Sequence, residues 1–229
     1  MNTIFGRVVA AAALTAGPLS LVVTTVCQWM LQPVGAQPSA VDAAEQFPVA
    51  WVAIGLLAAL GPLVWLAGLP ALARPVTARG RLVTRVGVLL TGLGLAAGVG
   101  HLAAYFSLYS AVAAASLPDD GVTAMLRAGD AEPIGNTLLV VFLVGYSLGP
   151  IILTTGLRIA RAVAVWVPLA AVITAGANLF GGPIAGIVQL AALIAVWAPL
   201  VVLVARARAT RRDTPRTTVH RKSDVGTRS

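Results

Sequence analysis

The charged residues of this chain alternate in sign between successive polar segments, and this alternation constrains the fold more than any other feature. Of the sixteen Lys and Arg residues, all but Arg127 lie in every second polar segment between long apolar runs. The intervening segments carry Asp42, Glu45, Asp119, Asp120, Asp130 and Glu132. Because positively charged loops stay on the cytoplasmic side during membrane insertion, the pattern predicts an even number of spans with both termini in the cytoplasm.

Six apolar segments are long enough to cross a bilayer, whose core needs roughly 20 apolar residues per helix. The predicted spans are residues 8–31, 48–72, 86–117, 134–157, 162–180 and 184–205. We therefore expect an all-α transmembrane bundle of six helices within residues 1–205. The short turn at Gly181-Gly182-Pro183 should make the last two helices antiparallel neighbours.

The first apolar segment has an alternative interpretation as a cleaved signal peptide. Val34-Gly35-Ala36 resembles a cleavage site, and cleavage there would leave five helices. The apolar stretch before it is longer than the about 7–15 residues of a signal core. We therefore expect the segment to remain as a membrane span.

The composition excludes a soluble globular domain. The chain is 58% hydrophobic and 10% charged, with a mean hydropathy of +0.89, whereas soluble domains have roughly 25% charged residues. The net charge of +8 follows from the cytoplasmic loops and tail, so we expect no nucleic acid partner. The single cysteine, Cys27, excludes an intramolecular disulfide.

Two polar segments should fold on the outer side of the membrane. Residues 42–47 suit a short acidic turn or helix. Residues 118–133 hold apolar side chains at helical spacing, namely Val122, Met125 and Leu126. This spacing predicts a short helix lying on the membrane surface.

The tail, residues 206–229, has eight basic and two acidic residues and is interrupted by Pro215. It cannot bury an apolar core, so we expect it to be disordered. Its positive charge predicts binding to anionic lipids at the cytoplasmic face.

Glycine is frequent in the third span, and its spacing indicates close helix packing. Gly94 and Gly98 are four residues apart, which lets two helix backbones approach each other. The same spacing recurs at Gly145 and Gly149. Besides packing within the chain, Gly94 and Gly98 could support self-association or contact with other membrane proteins.

A short pattern occurs twice. Gly61-Pro62, five residues and Gly68-Leu69 match Gly149-Pro150, five residues and Gly156-Leu157. Both segments run from outside to inside, so they would form a parallel repeat. Because Gly and Pro are common in membrane helices, coincidence is the simpler interpretation of this pattern.

Aromatic residues lie near the predicted ends of several spans, where interfacial belts form. Those near the outer boundary are Trp29, Phe47 and Trp51, and those near the inner boundary are Trp166 and Trp197.

The polar side chains within the spans are candidate ligand-binding residues. His101 is the most strongly polar of them, and ionisable groups inside a membrane are functional hypotheses because they are costly in lipid. Tyr105 lies one turn further along the same face. The remaining candidates are Gln28, Asn136, Asn178 and Gln189 towards the outer ends, and Tyr146 nearer mid-depth. They predict a polar pocket open to the outside. The alternative, which we favour, is hydrogen bonding between helices, worth about 0.6–2 kcal/mol each.

Motifs that would indicate catalysis or a cofactor are missing. The only other histidine, His220, is in the tail, so a haem held by two membrane histidines is excluded. The sequence has no His-Glu-x-x-His or Gly-x-Ser-x-Gly motif, and its acidic residues lack the spacing of a calcium loop. We expect no metal, no cofactor and no enzymatic activity.

The stretch Gly-Leu-Arg-Ile-Ala-Arg at residues 156–161, leading into Trp166-Val167-Pro168, resembles uncharacterised six-helix membrane proteins of high-GC Gram-positive bacteria. The resemblance covers the fourth to sixth helices. It implies a six-span bundle and no particular activity.

These observations favour a multi-pass protein of the bacterial plasma membrane. It would be a structural or accessory component, or would bind a neutral or lipidic ligand. The first alternative is a small transporter for an uncharged or hydrophobic substrate. The second is a membrane enzyme that uses His101 as a base.

Overall fold

The regular structure of the described residues is entirely helical, as predicted. A computed structural model describes residues 4–32, 40–76, 79–180 and 182–206. Within these ranges the helices are α1 Ile4–Leu31, α2 Ala40–Gln46, α3 Pro48–Gly68, α4 Arg81–Ala114, α5 Asp119–Asp130, α6 Pro133–Ile159, α7 Trp166–Phe180 and α8 Gly182–Arg206. A 3-10 turn, Leu69–Ala73, continues α3. Beyond Arg206, the tail predicted to be disordered lies outside the described residues.

Five helices of the described chain are long and apolar enough to cross a bilayer, namely α1, α3 with its 3-10 turn, α4, α6 and α8. The remaining predicted span, 162–180, contains the shorter α7. Its 15 residues rise about 22 Å, less than the about 30 Å of the hydrocarbon core. The helix begins at Trp166 rather than at residue 162 because Pro168 has no backbone N–H to donate, so it is tolerated only in the first turn of a helix.

The longest helix, α4, starts earlier than the predicted span. It begins at Arg81 instead of residue 86 and ends at Ala114 instead of residue 117. Gly80 precedes it with φ 79°, a left-handed conformation that glycine adopts without penalty. The other long helices begin and end within a few residues of the predicted spans. Both polar segments predicted outside the membrane contain helices, α2 and α5.

Six helices pack in a closed ring in the order α1, α3, α4, α6, α7 and α8, and α8 returns to α1. Neighbours in the ring are antiparallel, which confirms the prediction for α7 and α8. The short helix α2 packs on α3 and α4 at the end where the described Asp and Glu residues lie, and α5 contacts α4 and α6 there. We call this the acidic end. The basic end carries Arg7, Arg74, Arg79, Arg81, Arg85, Arg158, Arg161 and Arg206.

The contact between α4 and α6 depends on glycine, as the spacing predicted. A Cβ atom on Gly94 would lie 2.6 Å from the carbonyl carbon of Gly145 and 2.8 Å from its Cα. A Cβ on Gly98 would lie 2.6 Å from the Phe142 ring. Both glycines of α4 are therefore covered by α6 of the same chain.

The interface between α1 and α3 also depends on small residues. A Cβ on Gly61 would meet the side chain of Ser20, and one on Gly17 would lie 2.6 Å from Cγ of Trp65. The Ser20 hydroxyl donates a 2.6 Å hydrogen bond to the carbonyl of Gly17. This leaves a compact hydroxyl group opposite Gly61.

The interface between α4 and α6 has the same construction. Gly149 faces Thr91, and Gly87 faces Leu153. The Thr91 hydroxyl donates a 2.8 Å hydrogen bond to the carbonyl of Gly87. Each Gly-Pro segment therefore packs against the long helix that precedes it, α3 against α1 and α6 against α4. In both cases a short helix at the acidic end, α2 or α5, connects the two long helices. Both Gly-Pro segments thus face a hydroxyl side chain of the long helix before them.

Large side chains fill the centre of the ring. Trp65 is fully buried, and its ring lies edge-on to Trp197 at a centroid distance of 4.5 Å and to Tyr146 at 6.2 Å. The 3-10 turn contacts α1, α3, α4 and α8 and buries Leu69 and Leu72, so it closes the ring at the basic end. The prediction of Trp197 as an interfacial residue is wrong, because this side chain is 2% exposed.

The outer surface of the ring is apolar. Exposed large side chains occur on every helix of the ring, for example Leu19, Leu56, Leu89, Val140, Ile173 and Ile194. Soluble monomers rarely expose apolar surface this extensively. The surface suits contact with lipid hydrocarbon.

Candidate ligand-binding site

Three of the seven predicted site residues come together between α6, α7 and α8. Gln189 Nε2 donates a 3.2 Å hydrogen bond to Oδ1 of Asn178, and the Gln189 side chain also interacts with the hydroxyl of Tyr146. The Nδ2 atom of Asn178 is buried without a partner among the described residues. We call these three residues the amide cluster. It links three helices by side-chain hydrogen bonding.

The structure places the other four candidates elsewhere. Asn136 is exposed, and its Nδ2 atom donates a 2.7 Å hydrogen bond to the carbonyl of Asp130, which ties α6 to the end of α5. Gln28 on α1 and His101 on α4 are half-buried. Tyr105 belongs to the aromatic group described next. Several of the seven predicted site residues thus form hydrogen bonds within the chain. That one ligand contacts all seven residues stays a prediction.

An aromatic cluster lies between α3 and α4 near the acidic end and comprises Trp51, Tyr105, Phe106 and Tyr109. The ring centroid of Trp51 is 6.3 Å from Tyr105, 4.9 Å from Phe106 and 6.1 Å from Tyr109. The Trp51 Nε1 atom donates a 3.2 Å hydrogen bond to the carbonyl of Phe106.

Trp51 was predicted to belong to the outer aromatic belt. It lies near the acidic end, but its side chain is fully buried and does not face the membrane interface. Ala43 and Ala44 of α2 pack in the same core group. The helix α2 therefore covers Trp51, and no sequence pattern indicated that it would fold back over this position.

A groove runs along the outer face of the same two helices. The part of the groove further from the acidic end has a volume of about 500 Å³. Its lining includes Gly55 and Ala59 of α3 and Ala103 and Phe106 of α4. A Cβ on Gly55 would lie 2.9 Å from Phe106, so glycine lets the Phe106 ring sit against α3. Small side chains beside this contact leave the space open. We call this space the α3–α4 groove.

The groove becomes more polar towards the acidic end. A second hollow of about 470 Å³ adjoins the first and shares Val52 and Ser110 with it, and Glu45 also lines it. The Ser110 hydroxyl donates a 2.9 Å hydrogen bond to the carbonyl of Phe106, which leaves its oxygen free to accept. The combined site is apolar in the part further from the acidic end, and it has hydroxyl and carboxylate groups at the acidic end. This distribution suits an amphipathic molecule.

The sequence contains a signal for the groove that did not enter our prediction of the site. Ala103, Ser107 and Ala111 are small residues spaced four apart on α4, and all three line the groove. A stripe of small residues accommodates either a neighbouring helix or a ligand, and spacing alone does not distinguish them.

The centre of the ring offers far less space. The cavity beside Tyr146 and Trp197 has a volume of about 10 Å³, which is room for about one water molecule. Within the described ranges, His, Cys, Asp and Glu side chains form no group of three that could hold a metal ion.

The chain matches no known family model, no curated protein and no solved structure. Its five long apolar helices fit an integral membrane protein. Any more specific function has to be argued from the geometry of the grooves and clusters.

Proposed function

We propose that this chain is a six-span protein of the bacterial plasma membrane that binds an uncharged, lipid-like ligand in the α3–α4 groove. The observation that carries the proposal is the pair of adjoining hollows, about 500 and 470 Å³ in volume. Ligand sites commonly measure about 300–1,000 Å³ and combine apolar walls with a few polar groups. The groove meets both conditions.

The position of the groove indicates how a ligand would reach it. Val52 and Leu56 line the part of the groove further from the acidic end. Their side chains are 52% and 57% exposed on the apolar surface. A ligand would therefore enter sideways from the bilayer. Glu45 at the acidic end of the groove disfavours an anionic headgroup, since a like charge would be held close to it.

The packing of the ring favours a binder over the alternative of a transporter. A solute crossing the bundle would have to pass Trp65, Tyr146 and Trp197, and then the buried 3-10 turn at the basic end. The groove lies on the perimeter, where a ligand displaces only lipid. His101 is absent from the lining of the groove, so the site gives no support to the alternative of an enzyme that uses this residue.

The proposed six spans place both termini in the cytoplasm. α6 and α8 both end at the basic end, so α7 has to carry the chain back to the acidic end between them. A helix shorter than the bilayer is accommodated by local thinning or by its flanking residues. The separation of charge between the two ends orients the basic end towards the cytoplasm.

We expect cysteine labelling to confirm this topology. In a chain with Cys27 replaced by Ala, a membrane-impermeant maleimide applied to intact cells should label Ser116→Cys, which is exposed, and should leave Ser223→Cys unlabelled. Permeabilised cells should label both positions. Labelling of both Ser116→Cys and Ser223→Cys in intact cells would contradict an even number of spans.

Ligand binding in the groove can be tested with a photoreactive probe. A monoacylglycerol with a diazirine in its acyl chain should crosslink mainly to α3 and α4 when the protein is in bilayers, as mapped by mass spectrometry. Ala103→Phe fills the groove with a ring and should reduce this crosslinking at least fivefold by steric exclusion. Ala191→Phe introduces the same ring at an exposed position of α8 and should have no effect.

Two results would contradict the proposal. Crosslinks spread evenly around the ring would show only the general contact of a membrane protein with lipid. Equal crosslinking of α3 and α4 in Ala103→Phe and in the unsubstituted protein would show that the groove does not hold the probe.

A further inference from the structure

A second groove lies at the basic end, between α7 and α8 and the segment that precedes α7. Its volume is about 550 Å³, and its lining includes Ala162 and Ala164 before α7, together with Ala198 of α8. Trp166 and Arg206 also line it. Most of the lining is apolar, whereas one end carries a guanidinium group. We call this space the α7–α8 groove.

The difference in helix length creates this groove. α7 has 15 residues and α8 has 25, so α8 extends about 15 Å further at the basic end. Of the non-helical residues before Trp166, only Ala162, Val163 and Ala164 line the groove beside this extension. Ile194 and Val202, which also line the groove, are 55% and 43% exposed. The groove is therefore open on the apolar surface.

Arg161, next to the groove, has an unfavourable backbone conformation. Its φ is 58°, and it ends α6: its N–H donates to the carbonyl of Arg158, and the N–H of Ala162 donates to that of Leu157, both at 2.9 Å. Glycine is the usual residue at this position of a helix end, since a side chain is disfavoured in the left-handed conformation. An arginine held at this position suggests that its side chain has a role.

Three arginines lie at the basic end of this groove: Arg206 lines it, and Arg158 and Arg161 shortly precede its lining residue Ala162 in the chain. Arg158, Arg161 and Arg206 are all exposed, and Arg158 Nη1 donates a 3.5 Å hydrogen bond to the carbonyl of Val163, beside the groove. The carboxylates of the described residues all lie at the acidic end, namely Asp42, Glu45, Asp119, Asp120, Asp130 and Glu132. The three cations therefore lack a described carboxylate nearby.

We propose that the α7–α8 groove binds one anionic glycerophospholipid, with an acyl chain in the groove and the headgroup phosphate at Arg158, Arg161 and Arg206. Guanidinium groups bind phosphate through paired N–H donors, and a groove open on the apolar surface takes its ligand from the bilayer rather than from water. Trp166 lies where an interfacial aromatic side chain packs against the lipid backbone. This site is distinct from the α3–α4 groove and from the tail.

The inference can be tested with the full chain in a neutral detergent, by adding dioleoyl phosphatidylglycerol or dioleoyl phosphatidylcholine at matched mole fractions and measuring the melting temperature. Phosphatidylglycerol should raise the melting temperature saturably, because a ligand that binds only the folded state stabilises it. Phosphatidylcholine should have little effect. In Arg161→Gly the half-saturating concentration should increase about tenfold, which corresponds to about 1.4 kcal/mol.

The glycine variant also separates a binding role from a structural one. Without added lipid, Arg161→Gly should melt at the same temperature as the unsubstituted protein or higher, since glycine relieves the backbone conformation. Arg127→Gln removes a cation at the acidic end and should leave the lipid response unchanged. The tail is identical in all variants, so its diffuse attraction for anionic lipid cancels in the comparison.

Several outcomes would overturn the inference. These are an unchanged lipid response in Arg161→Gly, a lower melting temperature of that variant without lipid, and equal effects of the two phospholipids. Stabilisation by glycerol 3-phosphate alone would indicate a site for soluble anions instead. Should Arg161→Gly fail to fold, Ala198→Trp fills the groove from an exposed position and should abolish the response. A retained response would exclude the site.

Discussion

Replacing Gly94 with leucine is expected to prevent α4 from docking on α6 and to lower the free energy of unfolding by about 3 kcal/mol. Even a Cβ atom at this position would lie 2.6–2.8 Å from backbone atoms of Gly145. Backbone atoms cannot rotate away as a side chain does, so the two helices would have to separate. In a membrane this separation removes close van der Waals packing, which is a principal force that holds helices together in lipid.

Gly176→Leu on α7 provides a matched control, because a Cβ at Gly176 meets nothing within 4 Å. It should change stability by less than about 1 kcal/mol. Gly94→Ala should fall between the two. Reversible unfolding in mixed micelles with increasing dodecyl sulfate, followed by tryptophan fluorescence, would measure all three. Equal losses for Gly94→Leu and Gly176→Leu would show that backbone contact between α4 and α6 does not hold the fold together.

The glycine spacing shows how far sequence reasoning extends in such a chain. The spacing of Gly94 and Gly98 correctly indicated that a backbone approaches this face of α4. It could not indicate which helix approaches, because small residues fit any neighbour. The pairing of Gly61 with Ser20 and of Gly149 with Thr91 required the structure, and only these contacts gave the repeated Gly-Pro pattern a structural meaning.

Other predictions failed because hydrophobic periodicity carries little information when nearly all faces of a helix are apolar. The sequence around Trp51 and Trp197 does not distinguish a side chain that faces the bundle from one that faces lipid, so both were placed by their position along the span. Both are buried. The amide residues were likewise grouped by depth alone, whereas Asn136 bonds to Asp130 at the surface and Asn178 bonds to Gln189 between helices.

The grooves depend on contacts that sequence does not reveal. The α3–α4 groove exists because Phe106 sits against Gly55 while its small neighbours leave space. The α7–α8 groove exists because α7 begins only at Trp166. Each follows from the mutual position of two helices, although Pro168 and the small residues on α4 were visible in the sequence.

Trp65→Ala is expected to lower the free energy of unfolding by about 3 kcal/mol, the lower end of the range for deleting a buried tryptophan. Trp65 on α3 is fully buried and meets the rings of Trp197 on α8 and Tyr146 on α6, so it joins three helices of the ring. Since the unfolded helices remain in lipid, the transfer part of the usual loss disappears and the cavity left among the rings accounts for the effect. Trp166→Ala, at a half-exposed position, should have a much smaller effect.

Trp65→Phe distinguishes packing from hydrogen bonding at the same position. The Nε1 atom of Trp65 is buried without a hydrogen-bond partner among the described residues, and an unsatisfied buried donor is unfavourable by about 1–3 kcal/mol. Phenylalanine removes this donor and keeps an aromatic ring against Trp197. The stability gained by removing the unsatisfied donor should therefore offset most of the stability lost with the smaller side chain. We expect Trp65→Phe to stay within about 1 kcal/mol of the unsubstituted protein in the same unfolding measurement. A loss as large as that of Trp65→Ala would contradict this expectation and show that the protein requires the whole indole ring at this position.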